Sequence, residues 1–286
     1  MKITNNMNLP TPFLQAVELD RTYTEGEYRV TSLLKGIRET ILERRHSEEI
    51  EQDVADMIWL IFGTAVHSIL EKSQEADHEI KEERLKVEIG DYVLSGQFDL
   101  FDTQTGIVKD YKTCSVWKLV FGDFQDWRTQ LLIYGWMLRK IGFEVKGGEI
   151  VALIKDHSKR DAKIKADYPK YPVQAISFRF VEEDFTAIEE FLFAKFNEIK
   201  ECEQMSDDEL PICTMEERYN SGNKYAVMKN GRKTALRVLD TMQDAEEWKK
   251  ANSGDSIEIR EGEDKKCIDY CAVAPFCSYA KARGYV

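Results

Sequence analysis

Apolar residues recur at helical spacing over residues 31–45 and again over about 51–73, where Val54, Met57, Ile58, Leu60, Ile61, Val66, Ile69 and Leu70 mark the pattern. Two helices are predicted there, behind an irregular lead-in over residues 1–28. Charged residues then dominate until residues 85–89 and 92–100, two strand-like runs joined by Gly90-Asp91. A third strand is predicted over 107–111, entered through a turn at 103–106. A long helix fits 124–141 and stops at Gly142. Strands follow at 148–155 and 175–180, and an amphipathic helix at 182–202. In the tail, runs at 225–229 and 232–239 flank Asn230-Gly231, a two-residue hairpin signal, before a short helix at 243–251 and a cysteine-rich end. This order predicts an α/β (α+β) fold, with a central mixed sheet flanked by helices over residues 1–205 and a cysteine-bearing appendage over 206–286 packed on that core.

Composition narrows the class. The 286 residues are 43% hydrophobic and 32% charged, with 52 acidic and 40 basic side chains and a net charge of −12. A polycation that coats nucleic acid or anionic membrane is excluded, whereas a local basic groove is not. The first twenty residues hold no apolar signal core, and no run approaches the roughly 20 apolar residues of a membrane span, so a soluble, cytoplasmic protein is expected. Of six cysteines, Cys114 and Cys202 are isolated, Cys267, Cys271 and Cys277 crowd the C-terminus, and Cys213 lies upstream. The density is low for a secreted disulfide framework. A metal or iron–sulfur site, or small buried thiols, are the readings left open.

Two acidic motifs fall at strand ends. Gly96-Gln97-Phe98-Asp99 closes one strand and Asp110-Tyr111-Lys112 the next. Residues i and i+2 of a strand share a face, so Asp110 and Lys112 project together, and a hairpin pairing would bring Asp99 beside Asp110. Two carboxylates at one point repel unless a cation joins them, and Mg²⁺ or Mn²⁺ favours such oxygen ligands. A lone D-x-K is commonly a solvated strand end. Here it is accompanied by Gly63-Thr64-Ala65-Val66-His67 on a helix, with Glu71 one turn further on, and by Gln130 and Tyr134 at i,i+4 on the following helix. Singly, these would read as an ordinary surface histidine and an amphipathic helix face.

In this order the motifs resemble the PD-(D/E)xK nuclease superfamily, and within it the RecB-type branch, which includes CRISPR-associated single-strand exonucleases and phage- and prophage-encoded members. The resemblance implies a restriction-endonuclease-like core. It implies His67, Asp99, Asp110 and the carbonyl of Tyr111 as ligands of Mg²⁺ or Mn²⁺, Lys112 as the catalytic lysine beside Asp99 and Asp110, and Gln130 and Tyr134 as residues that support the site or touch DNA. Glu71 and Glu83 are further acidic candidates. The implied activity is phosphodiester hydrolysis by a DNA exonuclease in recombination, repair or phage DNA processing, with exonuclease preferred to endonuclease by the same analogy. The implied partners are single-stranded DNA or duplex ends, together with recombination or replication proteins. The alternatives are a catalytically silent nuclease-like DNA-binding or assembly module, and a metal-bearing interaction protein.

Cys267-x₃-Cys271-x₅-Cys277 with Cys213 supplies four thiolates, suited to a [4Fe–4S] cluster or a structural Zn²⁺. RecB-type members place one distant and three C-terminal cysteines in this way, although two residues usually separate the closest pair where three do here. Two stretches are locally basic: Lys155, Lys159, Arg160, Lys163, Lys165 and Lys170, and, in the tail, Lys224, Lys229, Arg232, Lys233 and Arg237. With Trp117 and Lys118 just past the D-x-K strand, Lys229, Arg232 and Lys233 are candidate DNA contacts, because cations and aromatic rings together form single-strand channels.

Overall fold

A computed structural model describes residues 1–17, 23–74 and 76–286. The chain begins β1 (Lys2–Thr4), α1 (Thr11–Val17), β2 (Glu27–Arg29), α2 (Val30–Leu33), α3 (Ile37–Arg45), β3 (Glu51–Asp53) and α4 (Ile58–Glu71). It continues through β4 (Glu79–Lys81), β5 (Arg84–Ile89), β6 (Tyr92–Gln97), β7 (Leu100–Asp102) and β8 (Ile107–Cys114) to α5 (Val116–Phe121) and α6 (Gln125–Lys140). Then come β9 (Gly147–Ile154), α7 (Asp161–Ile164), β10 (Val173–Arg179) and α8 (Glu182–Cys202). The remainder holds β11 (Lys224–Met228), β12 (Arg237–Leu239), α9 (Met242–Ala251), β13 (Ser256–Arg260), α10 (Lys265–Asp269) and α11 (Ser278–Ala282).

Two compact units result: Met1–Lys35 with Ser47–Gln204, and Gly36–His46 with Met205–Val286. In the first, five strands form a mixed sheet in the order β10-β9-β8-β7-β4, in which β8 and β9 run parallel and the other neighbours antiparallel. A second sheet has the order β2-β6-β5, and β1 pairs with β3. The core is built from Tyr28, Leu94, Phe98, Phe101, Leu131, Ile133, Met137 and Ile150, all nearly or fully inaccessible. Alternation along β8 decides which helix covers which face. Asp110 faces α6, where Gln130 reaches it, whereas Tyr111 and Thr113 lie beside His67 and Gly63 of α4. The sheet thus carries helices on both faces.

The second unit centres on the antiparallel sheet β12-β11-β13. Within it α3 is fixed by Arg38, whose guanidinium is buried and donates to the carbonyls of Pro211 and Leu210, and by the Glu39–Lys266 ion pair (2.5 Å).

Several expectations need correction. The lead-in over 1–28 is not irregular: it contains β1, α1 and β2, while residues 18–22 lie outside the described ones. The helix expected over 31–45 is broken at Leu34–Gly36, and a Cβ at Gly36 would lie 3.0 Å from Glu217 Cδ and 3.1 Å from Cys213 Sγ, a tight fit that glycine relieves. The helix expected over 51–73 starts only at Ile58. Asp53 ends β3 instead, accepting hydrogen bonds from Thr4 Oγ1, Asn6 N and Ala55 N, the turn chemistry that competes with helix. The strand over 92–100 is two strands, because residues 98 and 99 leave one ladder for another. The tail is not a two-residue hairpin. Asn230-Gly231 does turn, with Gly231 at φ +82°, but Asn230 N–H donates to Asp255 beside β13, and pairing with β12 resumes only where Leu236 N–H meets Val227 O. The unforeseen β13 makes β11 a central strand.

The first glycine of the G-x-x-D motif has a packing reason. A Cβ on Gly96 would lie 2.7 Å from both Tyr134 Cε1 and Val30 Cγ2. Gly96→Ala is therefore expected to lower stability by about 1–3 kcal/mol through overpacking, read as a lower urea midpoint at unchanged m-value. A midpoint equal to wild type would show that this strand can move away from α6.

Candidate active site

Two hairpin registers converge on one aspartate. Around the Gly90-Asp91 turn, β5 pairs with β6 up to Arg84 opposite Gln97, and β4 pairs with β7 from Lys81 opposite Leu100. Both ladders keep a single register although they belong to different sheets, which places Glu82 opposite Asp99 at the crossing. On the other side β7 meets β8 with Leu100 opposite Lys109, so the next position aligns Asp99 with Asp110. The β7 ladder ends there. From Asp110 onward β8 keeps β9 as its partner and presents its other edge to the crossing. Tyr111 N–H, on that open edge, donates to Asp99 Oδ2 (2.5 Å).

The candidate side chains gather around this break. His67 Nδ1 lies 3.1 Å from Asp99 Oδ1 and 3.9 Å from Glu82 Oε1. His67, Glu82 and Asp99 each offer a ligand atom within 4.8 Å of the others, a spacing one cation could bridge. Asp110 is 3% exposed, and its Oδ2 lies 2.8 Å from Lys112 Nζ, yet that oxygen has no well-directed hydrogen bond. Its Oδ1 accepts a long bond from Gln130 Nε2 (3.4 Å), which also donates to Tyr134 OH (3.3 Å). Asp110 belongs to the cluster through Lys112 and Gln130, and lies outside the tight set. A buried carboxylate oxygen with spare acceptor capacity, beside two further carboxylates and an imidazole, fits a divalent ion.

Electrostatics describes the same imbalance. Burial, with a smaller contribution from Asp99, pushes the Asp110 carboxyl up, and burial together with Asp99 does the same to Glu82. The hydrogen bond to Asp99 raises His67 above its ordinary 6.5, against the opposing effect of burial. Burial also pushes the Tyr134 phenol far above its usual range, so it stays a neutral hydrogen-bonding group.

Glu82 was not foreseen. Glu71 and Glu83, the acidic residues expected near the site, are exposed, and neither is in the tight set. Glu82 sits at φ +48°, a left-handed backbone that costs a non-glycine residue about 1–2 kcal/mol. It is held there by Glu82 N–H donating to Asp99 O (3.2 Å) and Gln97 Nε2 donating to Glu82 Oε2 (2.8 Å). Counting outward from Gly90-Asp91 reaches Glu82 opposite Asp99 only if one register continues past the end of the first ladder, and that continuity is a property of the folded sheets.

A family model describing the PD-(D/E)XK nuclease superfamily matches residues 19–278. The chain belongs to that superfamily. The nuclease is also similar in part to three solved structures. SSO0001 is 17% identical, with 65% of this chain and 83% of that one covered and a TM-score of 0.47. An alkaline exonuclease from Laribacter hongkongensis is 10% identical, with coverages of 62% and 89% and a TM-score of 0.37. A phage-related exonuclease from Haemophilus somnus is 10% identical, with coverages of 58% and 77% and a TM-score of 0.30. A comparison with curated protein sequences returns no match. No helix among the described residues is long and apolar enough to cross a membrane.

In the second unit of this nuclease, Cys213, Cys267, Cys271 and Cys277 line one cavity, beside Arg38 and Glu39 of α3. Burial pushes the Cys213 thiol up to about 11, Cys271 up to about 12, and Cys267 above its usual value. Cys114 and Cys202 are buried elsewhere, in the first unit. Of the candidate DNA contacts, Trp117 is 56% exposed and stacks on Phe121, while Lys118 pairs with Asp126 (2.8 Å) and lies over Trp127. Lys229 donates to Ser253 O (2.9 Å), and Arg232 and Lys233 are exposed.

The pKa shifts have one sign in common. A raised histidine stabilises below its unfolded value and loses that contribution as pH rises through the folded one. A raised carboxyl penalises the folded state once it must ionise. In chelator, the melting temperature is therefore expected to fall as pH climbs above 6.5, and Asp110→Asn, which removes the buried charge, to be at least as stable as wild type at pH 8. A clearly less stable Asp110→Asn protein would show that the Lys112 ion pair outweighs burial.

Proposed function

We propose that this chain is a divalent-metal-dependent deoxyribonuclease that removes nucleotides from DNA ends in recombination, repair or phage DNA processing. The observation that carries the proposal is the meeting of His67, Glu82 and Asp99 beside the Asp110–Lys112 pair, in a chain that belongs to the nuclease superfamily. The reaction is hydrolysis, in which water adds to phosphorus and the bond to the leaving sugar oxygen breaks. Mg²⁺ or Mn²⁺, held by His67, Glu82 and Asp99 with the free lone pair of Asp110 and the Tyr111 carbonyl to complete the set, would polarise the phosphate. An imidazole among oxygen donors favours Mn²⁺ over Mg²⁺. Lys112, partly exposed beside Asp110, is placed to donate to the phosphate oxygens as their charge grows. Gln130 and Tyr134 orient Asp110. The exonucleolytic mode rests on the likeness of the motifs to the RecB-type branch.

End-labelled DNA incubated with the pure protein should be shortened stepwise with Mn²⁺ and stay intact with chelator. Asp110→Ala should lower the rate by at least about a hundredfold while its circular dichroism is unchanged. Metal-dependent cleavage that survives in this variant refutes the site. No cleavage by wild type, with DNA still bound, would favour a silent DNA-binding module.

We further propose that the four cysteines hold an iron–sulfur cluster. Their thiols line one cavity, and four thiolates are the ligand set of a [4Fe–4S] centre. Raised thiol pKa values mean that loading expels protons. Protein purified anaerobically should be brown, and Cys271→Ala should lose the visible absorbance and its iron. Colourless protein containing one zinc per chain would overturn this assignment.

A further inference from the structure

Helix α4 opens on five consecutive apolar residues, Ile58–Phe62, yet none of its residues is fully buried; Trp59 is 58% exposed, Phe62 43% and Leu60 37%. A helix of that composition ordinarily lies in a core. Its course is fixed by three contacts along β8. The His67 ring is 6.2 Å from that of Tyr111, a Cβ at Gly63 would be 3.7 Å from Thr113 Oγ1, and Trp59 lies under Lys155, whose Nζ is 3.8 Å from the indole centroid and whose N–H donates to Cys114 O. Trp59, Gly63 and His67 are spaced at i, i+4 and i+8, one stripe of the helix. Trp59 is thus about 12 Å from the metal-binding histidine, roughly two nucleotides of an unpaired strand.

We propose that Trp59 and Lys155 form a base-stacking position that makes the enzyme select an unpaired strand, with one base on the indole, its phosphate at Lys155 and the strand leading along α4 to His67. Charge complementarity supports a nucleic-acid occupant. Lys159, Arg160 and Lys163 follow Lys155 on an exposed segment, in a chain whose net charge is −12. A base lies on an indole only after it has left the duplex stack, so the selectivity follows from geometry and needs no sequence readout. The proposal rests on the nuclease reading for the strand's direction, and the test separates the two.

Binding of a fluorescein-labelled oligothymidylate and of a blunt duplex is measured by anisotropy in chelator, with cleavage in Mn²⁺ followed in parallel. Trp59→Ala should weaken oligothymidylate binding about tenfold or more and leave the duplex little changed, while Trp59→Phe retains most of the affinity. An oligonucleotide series with single abasic positions should weaken wild type at one position and Trp59→Ala at none. Lys155→Ala should weaken binding and flatten its salt dependence. Equal single-strand binding and cleavage by wild type and Trp59→Ala would overturn the proposal while leaving the nuclease reading intact. Trp59-dependent binding with no cleavage would do the reverse. A Trp59→Ala protein changed only in its self-association would make the face a protein interface and also overturn it.

Discussion

The first unit depends on one aspartate shared between two hairpins. Asp99 is where the β5–β6 ladder hands over to β4–β7 and where the β7–β8 pairing stops, so its carboxylate is aimed by backbone on both sides. Tyr111 N–H holds one oxygen and His67 the other. Glu82 arrives by the same crossing, in a backbone conformation that the surrounding hydrogen bonds impose. Three carboxylates, one lysine and one titratable imidazole then occupy a poorly solvated corner. Burial alone disfavours that much negative charge, which is why a cation suits it.

The broken ladder also creates access. A sheet continuous past Asp99 would bury the second half of β8 between two strands; instead one edge of residues 110–114 is open while the parallel partner β9 keeps the strand straight. The two faces divide the work. The α6 face is densely packed and presents Gln130 and Tyr134 to Asp110, with Gly96 admitting the tyrosine ring. The α4 face carries the histidine on a helix whose other apolar residues remain accessible. The packed face sets the acid and lysine, and the more accessible one carries the histidine.

In the second unit the cysteines are brought together from far apart in sequence. The C-terminal segment and Cys213 meet around α3, with the Arg38 side chain satisfying carbonyls of the intervening loop and lying 3.6 Å from Cys277 Sγ. A buried guanidinium beside four thiols offsets the negative charge that thiolates would bring. Asp264, held well below the carboxylate range by hydrogen bonds from Asn220, Tyr279, Arg218 and Tyr285, anchors the helix that carries Cys267.

The long periodic elements were legible in the residues: α6 and α8 by their 3.6-residue spacing, β5, β6 and β9 by their apolar runs, and Asp110 with Lys112 on one face by the two-residue period of a strand. So was the order of the motifs, which identifies the family. Tertiary structure alone decided that the strand after Tyr92 changes sheets at Phe98–Asp99, that Glu82 enters the site in place of Glu71 or Glu83, that residues 36–46 join the C-terminal unit, and that β13 takes the edge of β11. Periodicity reports which side of an element faces a core, a local property. Which ladder continues, and which acidic residue meets another, depends on registers between segments distant in sequence, and these are set by packing around positions such as Gly96 and Phe98.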